Sequence, residues 1–504
     1  MKKFTVVFSL FLVLFGFAKN SQATHLIGGE IEYTGLAPNI YLATYKVFYD
    51  CRSTIPPASI EFNLKAPGCN TGTTFTSELQ TIASQSLNPY CATTGNYCTS
   101  NALINLRMSV YSATFSFSPA QLQCNDWLLS VRNCDRSGFA NLPDARNSCL
   151  YVEAYINTAA NAGSNSSPGF VAPSDMFVTV NVPATISNLT EERKNYEPDS
   201  LVYSLQPALE DFNMPLVYAS GLSYTKPIPT ATNMILDPNT GLLSFVPNVF
   251  VPSSNPEHNA YAVVVQASAY KKINGVMTKV STAQRNIPVY IVNNAPNVNP
   301  VVSKATANGQ YVGPNGIIEV QAGSDLIFKF ATHDNNASDS LTTFMPGPAL
   351  SGFRFTSSGG RRPTGVITWQ APPVASNKII YFPIMIKDDA CPVRGTVTQV
   401  YGIKVVASPL GIKNTTSFDP AFTAFPNPFA TSVTFRFSPK NNAQTLVISN
   451  LLGQEIDRID LRKVISGKQD VAWENAYKFP SGVYIARLET AGKTIQTLKF
   501  TKLQ

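Results

Sequence analysis

Histidine is nearly missing from this chain: His25, His258 and His333 are the three in 504 residues. That scarcity removes most general-base and metal-ligand schemes, and none of the three sits in a nucleophile or zinc motif. No Gly-x-Ser-x-Gly elbow, His-Glu-x-x-His helix or phosphate-cradling glycine loop occurs either. No catalytic, cofactor-binding or metal residue is therefore assigned. Paired carboxylates leave little trace in sequence, so a glycan hydrolase stays open as a lesser alternative. Charge is scarce too, at 14% of residues against 44% hydrophobic, which excludes a disordered tail. Beyond residue 18 no run is apolar enough to span a membrane.

What is present is 36 prolines and a remainder rich in Thr, Ser, Asn and Gly, the composition of an all-β exterior protein. The net charge of +7 sits at the ends. Lys2, Lys3 and Lys19 lie in the leader, and residues 421–504 hold eleven Lys and Arg against six Asp and Glu, so the body between is close to neutral. A nucleic-acid partner is not expected.

Lys2 and Lys3 precede an apolar run over residues 4–18, and Ser21-Gln22-Ala23 places small residues where a signal peptidase reads. Residues 1–23 are expected to be a signal peptide, cut between Ala23 and Thr24. An uncleaved anchor is the rival, but the run falls short of the roughly 20 residues a spanning helix needs.

Export puts the cysteines in an oxidising compartment. Cys51, Cys69, Cys91, Cys98, Cys124, Cys134 and Cys149 crowd the first third, and Cys391 stands alone downstream. They read as disulfide candidates that close long loops. Seven is odd, so one local thiol is left over or pairs with Cys391. The absence of any Cys-x-x-Cys pair argues against zinc.

Residues 25–33 and 41–51 alternate β-branched or aromatic with polar residues, predicting a hairpin closed by a Gly and Pro-Asn turn. Further strands are expected over 111–117 and 150–156, and the Asn- and Ser-rich 157–168 reads as a boundary or loop. Two later segments look like copies of one unit. Asp199-Ser200-Leu201, Thr240-Gly241-Leu242 and 261–267 match Asp339-Ser340-Leu341, Thr364-Gly365-Val366 and 380–389. Each gives a strand, a glycine turn, a strand with an aromatic end and a long apolar strand. The expected fold is all-β, with tandem immunoglobulin- or cadherin-like β-sandwich modules and a C-terminal β-sandwich. The expected domains are 24–165 (disulfide-rich), 166–295 and 296–408 (two sandwich modules), a linker 409–422, and 423–504.

The first copy resembles bacterial cadherin-like and polycystic-kidney-disease-like repeats, with Glu197-Pro198-Asp199-Ser200-Leu201 as a shortened opening loop. Residues 25–30 and 45–51 resemble the N-terminal region of large exported proteins of gliding bacteria. The sharpest resemblance is at the end of the chain: Phe425-Pro426-Asn427-Pro428-Phe429, then Leu446 to Ile456 around Gly453, then Ser481-Gly482-Val483-Tyr484, and a basic ending with Lys499 and Lys502. This is similar to the type A C-terminal sorting domain of type IX secretion. The resemblance implies that Pro426, Asn427, Pro428, Gly453, Gly482, Tyr484 and Lys502 belong to the sorting signal. It also implies that export machinery of the outer membrane recognises the tail, which is then removed, the body being linked to surface lipopolysaccharide or released.

Three smaller features remain. Asp334, Asn336 and Asp339, with Asp388 and Asp389, offer oxygen ligands for calcium, although turn chemistry explains Asp and Asn there equally well, and no cofactor is assigned. The triplets at Asp199 and Asp339 resemble O-glycosylation acceptors of type IX secreting bacteria, and opening a strand accounts for both without sugar. Trp127 is either a core residue or a sugar platform. The function expected is that of a secreted or cell-surface non-catalytic protein in adhesion, structure or interaction, its extracellular ligand unnamed. A polysaccharide-binding protein is the main alternative.

Overall fold

The computed structural model describes residues 26–51, 56–87, 104–134, 136–159, 165–171, 176–191, 198–346, 351–376, 378–407, 422–437, 445–463 and 470–503. Regular structure among them is β-strand and short 3-10 turns, without an α-helix. The chain divides into two compact units, Met1–Ser408 and Pro409–Gln504.

The expected hairpin forms from Leu26–Ala37 and Ile40–Asp50, with Asn39 in the left-handed region at its turn. Its strands begin a ring of antiparallel pairings. From Leu26–Ala37 the order runs Ile40–Asp50, Leu106–Ser116, Thr71–Ser86, Ser59–Ala66, Asp126–Asn133 and Leu150–Asn157. Val276–Val292 then closes the circle, pairing with Leu150–Asn157 at Ser281↔Ile156 and with Leu26–Ala37 at Glu30↔Arg285. The result is an eight-stranded closed barrel, a size whose interior side chains fill completely. Tyr33, Tyr41, Tyr45, Phe62, Tyr111 and Trp127 pack inside it. Alternation along each strand sends these residues inward and their neighbours outward.

The boundary expected between residues 165 and 166 therefore does not separate two sheets. The strand that completes the barrel comes from the following module, and it continues in one sheet with Ala260–Ile273 and Ser200–Gln206. Gly28 makes the junction sterically feasible, since a Cβ there would lie 2.3 Å from the Asn286 carbonyl oxygen. The serine-rich segment is not a free loop where it is described. Ser166 and Ser167 are fully buried, their hydroxyls accepting from the Gly35 and Tyr33 N–H groups at 3.1 and 2.9 Å. Side chains there substitute for a strand partner. A small sheet of Ala184–Ser187, Leu242–Phe245 and Ile235–Leu236 contributes to the same core as the shared sheet.

Residues 298–407 form a two-sheet sandwich. One sheet orders Gln310–Val312, Val301–Ala307, Asp325–His333, Thr364–Gln370 and Arg354–Ser357, and the other orders Ile317–Gln321, Thr396–Val406, Ile379–Lys387 and Thr342–Phe344. Phe328, Trp369, Phe382 and Tyr401 fill the space between. The two copies seen in sequence share a topology. In each, the strand after Asp-Ser-Leu pairs with the long apolar strand, Ser200–Gln206 with Ala260–Ile273 and Thr342–Phe344 with Ile379–Lys387. The second glycine differs from expectation: Gly365 lies inside Thr364–Gln370 and not in a turn. A Cβ there would meet the Phe330 ring at 2.1 Å.

Candidate functional site: the C-terminal unit

The C-terminal unit is a sandwich of two antiparallel sheets. Thr423–Phe425, Thr434–Arg436 and Asp470–Ala472 form one, and Glu455–Asp460, Thr445–Asn450, Gly482–Thr490 and Lys493–Lys502 the other. Phe435, Trp473, Tyr484, Leu488 and Phe500 are its core. Trp473 is fully buried, and its indole N–H donates to Asp457 Oδ2 at 2.8 Å. Tyr484, Ala486 and Leu488 face inward and meet Phe500, with Leu498 half-buried beside them, as alternation along the final hairpin requires.

Asn427 and Phe429 of the proline motif bond to the last strand. Asn427 Oδ1 accepts the Thr501 N–H at 2.9 Å, while Phe429 N donates to the Thr501 carbonyl at 3.0 Å and Leu503 N to the Phe429 carbonyl at 2.7 Å. Pro426 and Pro428 follow the strand Thr423–Phe425, and Asn427 between them and Phe429 beyond them hold the last strand. Lys502 Nζ donates to the carbonyls of Ala476 and Phe479 at 2.8 and 2.5 Å. The Tyr484 hydroxyl donates to the Pro480 carbonyl, and burial pushes its phenol above the ordinary value.

Gly453 takes a φ of 79° in the turn after Thr445–Asn450, where Asn450 Oδ1 accepts the N–H groups of Leu452 and Gln454 at 3.0 Å. Gly482 opens its strand opposite Lys502. The turn of that hairpin falls at Ala491-Gly492, both at positive φ, positions sequence reasoning did not single out. Leu451 and Leu452, 64% and 93% exposed, stand at a hairpin tip.

In the larger unit, Cys69 pairs with Cys124 and Cys134 with Cys149. Cys51 and Cys391 are disulfide-bonded as well, and no described cysteine is free. Because the other seven cysteines precede residue 150, the Cys391 bond runs back to the first third of the chain. Cys91, Cys98 and the cleavage pair Ala23 and Thr24 lie outside the described residues. Trp127 is fully buried, with its indole N–H donating to the Cys124 carbonyl at 2.9 Å, which makes it a core residue and not a sugar platform. One cleft of about 250 Å³ is lined by Thr190, Asp199, Tyr203, Lys378 and Tyr381. Another of about 420 Å³ holds Arg146, Glu257 and His258. In the latter, Glu257 is occupied by the Gly138 N–H at 2.9 Å and by the Arg146 guanidinium.

Residues 423–501 match the family model of the secretion system C-terminal sorting domain. Among solved structures, an E-to-A variant of the titin fragment I67–I69 is 10% identical, covering 76% of this chain and 99% of that one, at a TM-score of 0.15. The human protocadherin-24 fragment EC1-2 is 13% identical, covering 49% of this chain and 100% of that one, also at 0.15. At TM-scores this low the fold assignment rests on the strand pairings described above. No curated protein matches the sequence. The tail makes the chain an exported protein, secreted or held at the cell surface, and it is the part that type IX export machinery recognises. Among the described residues no helix is long and apolar enough to cross a membrane.

Proposed function

We propose that the body is a non-catalytic surface protein whose stacked β modules present loops to a partner, in adhesion or in the architecture of the cell exterior. The sorting domain at residues 423–501 carries this reading, because it sends the body outside the cell. Lys46 and Arg285 both pair with the buried Glu30, the described cysteines are all bonded, and Glu257 is held by Arg146. After loss of the tail the body is linked to surface lipopolysaccharide or released.

The test compares cells carrying the intact gene with cells lacking it, scoring attachment to surfaces and the location of the protein by mass spectrometry. The reading expects the body outside the cell without residues 423–504, and attachment lost with the gene and restored by its return. Release of reducing sugar from polysaccharide by the purified body would contradict the non-catalytic assignment.

A further inference from the structure

Among the described residues, a cluster of three carboxylates lies where the segment entering the last sandwich meets two of its loops. Asp334 follows the strand Asp325–His333, Asp388 follows Ile379–Lys387, and Asp339 precedes Thr342–Phe344. One carboxylate oxygen from each lies within 4.8 Å of the others. Asp334 and Asp388 are 5% and 3% exposed. Carboxylates so close and so dry repel one another, and among the described residues neither lysine nor arginine pairs with any of them. His333 supplies the one favourable charge felt by Asp334.

The hydrogen bonds leave particular atoms over. Asp388 Oδ1 accepts the N–H groups of Ala390 and Gly395 at 3.1 and 2.8 Å, and its Oδ2 accepts Asn297 Nδ2 at 3.0 Å. Asp334 Oδ1 accepts the Asn336 N–H at 2.8 Å, and Asp339 Oδ1 accepts the Ser338 hydroxyl at 2.9 Å. Asp334 Oδ2 and Asn297 Oδ1 are buried with no hydrogen-bond partner. A buried oxygen left unpaired is costly, and two beside a carboxylate triad share one remedy.

We propose that Asp334, Asp339, Asp388 and Asn297 bind a calcium ion that fastens the entering segment to the two loops. The donors are oxygens only, with three carboxylates and an amide carbonyl, the set a hard cation takes. Supply from separate loops suits the adaptable coordination of calcium better than the strict octahedron of magnesium. Two residues that sequence suggested are turned elsewhere. Asn336 Oδ1 accepts the Val298 N–H at 3.1 Å and Asp389 Oδ1 accepts the Ser340 N–H at 2.8 Å. Asn297, which sequence did not suggest, takes part because the segment around it is already tied down. Asn294 Nδ2 donates to the Val393 carbonyl at 2.6 Å and Asn299 Nδ2 to the Pro183 carbonyl at 2.8 Å.

The test titrates calcium chloride into the full chain after stripping with chelator, by calorimetry, with hydrogen exchange followed over residues 293–299, 334–339 and 388–396. One binding event, with slower exchange in all three segments, is expected. Asp339→Asn, at a half-buried position whose carboxylate accepts from the exposed Ser338 hydroxyl, should weaken binding at least tenfold while the calcium-free melting temperature holds. Asp334→Asn should do the same through a buried ligand. Magnesium should bind more weakly than calcium. No heat and unchanged exchange at millimolar calcium would overturn the proposal, as would wild-type affinity in both variants.

Discussion

Glu30 and Arg285, 255 positions apart in the chain, face each other on adjacent strands, with Nε 2.5 Å from Oε2 and neither side chain exposed. On the other side of Glu30, Lys46 Nζ stands 2.7 Å from Oε1 and 3.3 Å from Glu32. The guanidinium of Arg285 also stacks 4.4 Å from the Phe170 ring centre and donates to the Val171 carbonyl. This row of charge crosses the seam at which Val276–Val292 closes the barrel. A one-residue slip would set an unpaired charge against apolar neighbours, so the pair fixes register as well as contact.

Glu30→Gln should therefore destabilise the larger unit by about 3–5 kcal/mol, since it leaves buried cations uncompensated. Burial alone would push the Glu30 carboxyl up, but Arg285 and Lys46 outweigh it and hold it below its ordinary value. A group depressed in the folded state stabilises fully above the unfolded carboxylate value, and that stability fades as pH falls through the folded one. Denaturant melts across pH should show wild type losing stability below about pH 4, with a shallower loss in the variant.

Cys391→Ser cuts a link between the last sandwich of the larger unit and the first third of the chain. Loop-closure entropy puts the loss at about 3–5 kcal/mol. Peptide mapping without reductant should find Cys391 joined to a peptide from that first third. A free thiol at Cys391 would refute the bond.

Gly365→Ala should cost about 1–3 kcal/mol, because the added carbon collides with the Phe330 ring in a packed core. A denaturation midpoint unchanged from wild type would show that the ring moves aside freely.

Lys502→Met keeps the aliphatic stem but abandons two carbonyls, and should destabilise the C-terminal unit by about 1.5–3 kcal/mol. Pulse-chase fractionation should show slower delivery, with precursor lingering in the periplasm.

Local periodicity made much of this fold legible. The opening hairpin, the two related segments and the inward face of Tyr484, Ala486 and Leu488 follow from alternation that strands impose on any sequence. The closure of the barrel was not legible, because its last strand lies more than a hundred residues from both of its barrel partners, and the pairing depends on Gly28, Glu30 and Arg285 meeting in space. For the same reason Ser166 and Ser167 read as loop, though burial makes them strand partners. In the C-terminal unit the motif residues were visible as a resemblance. The roles of Asn427 and Lys502 in holding the final strand depend on hydrogen bonds between residues distant in the chain.

The most direct measurement is of where the chain accumulates when it stops before residue 423. With a folded tail as the export address, the truncated protein should collect in the periplasm, with the larger unit folded and its disulfides formed. Truncated protein reaching the cell surface or medium at the wild-type level would contradict the account.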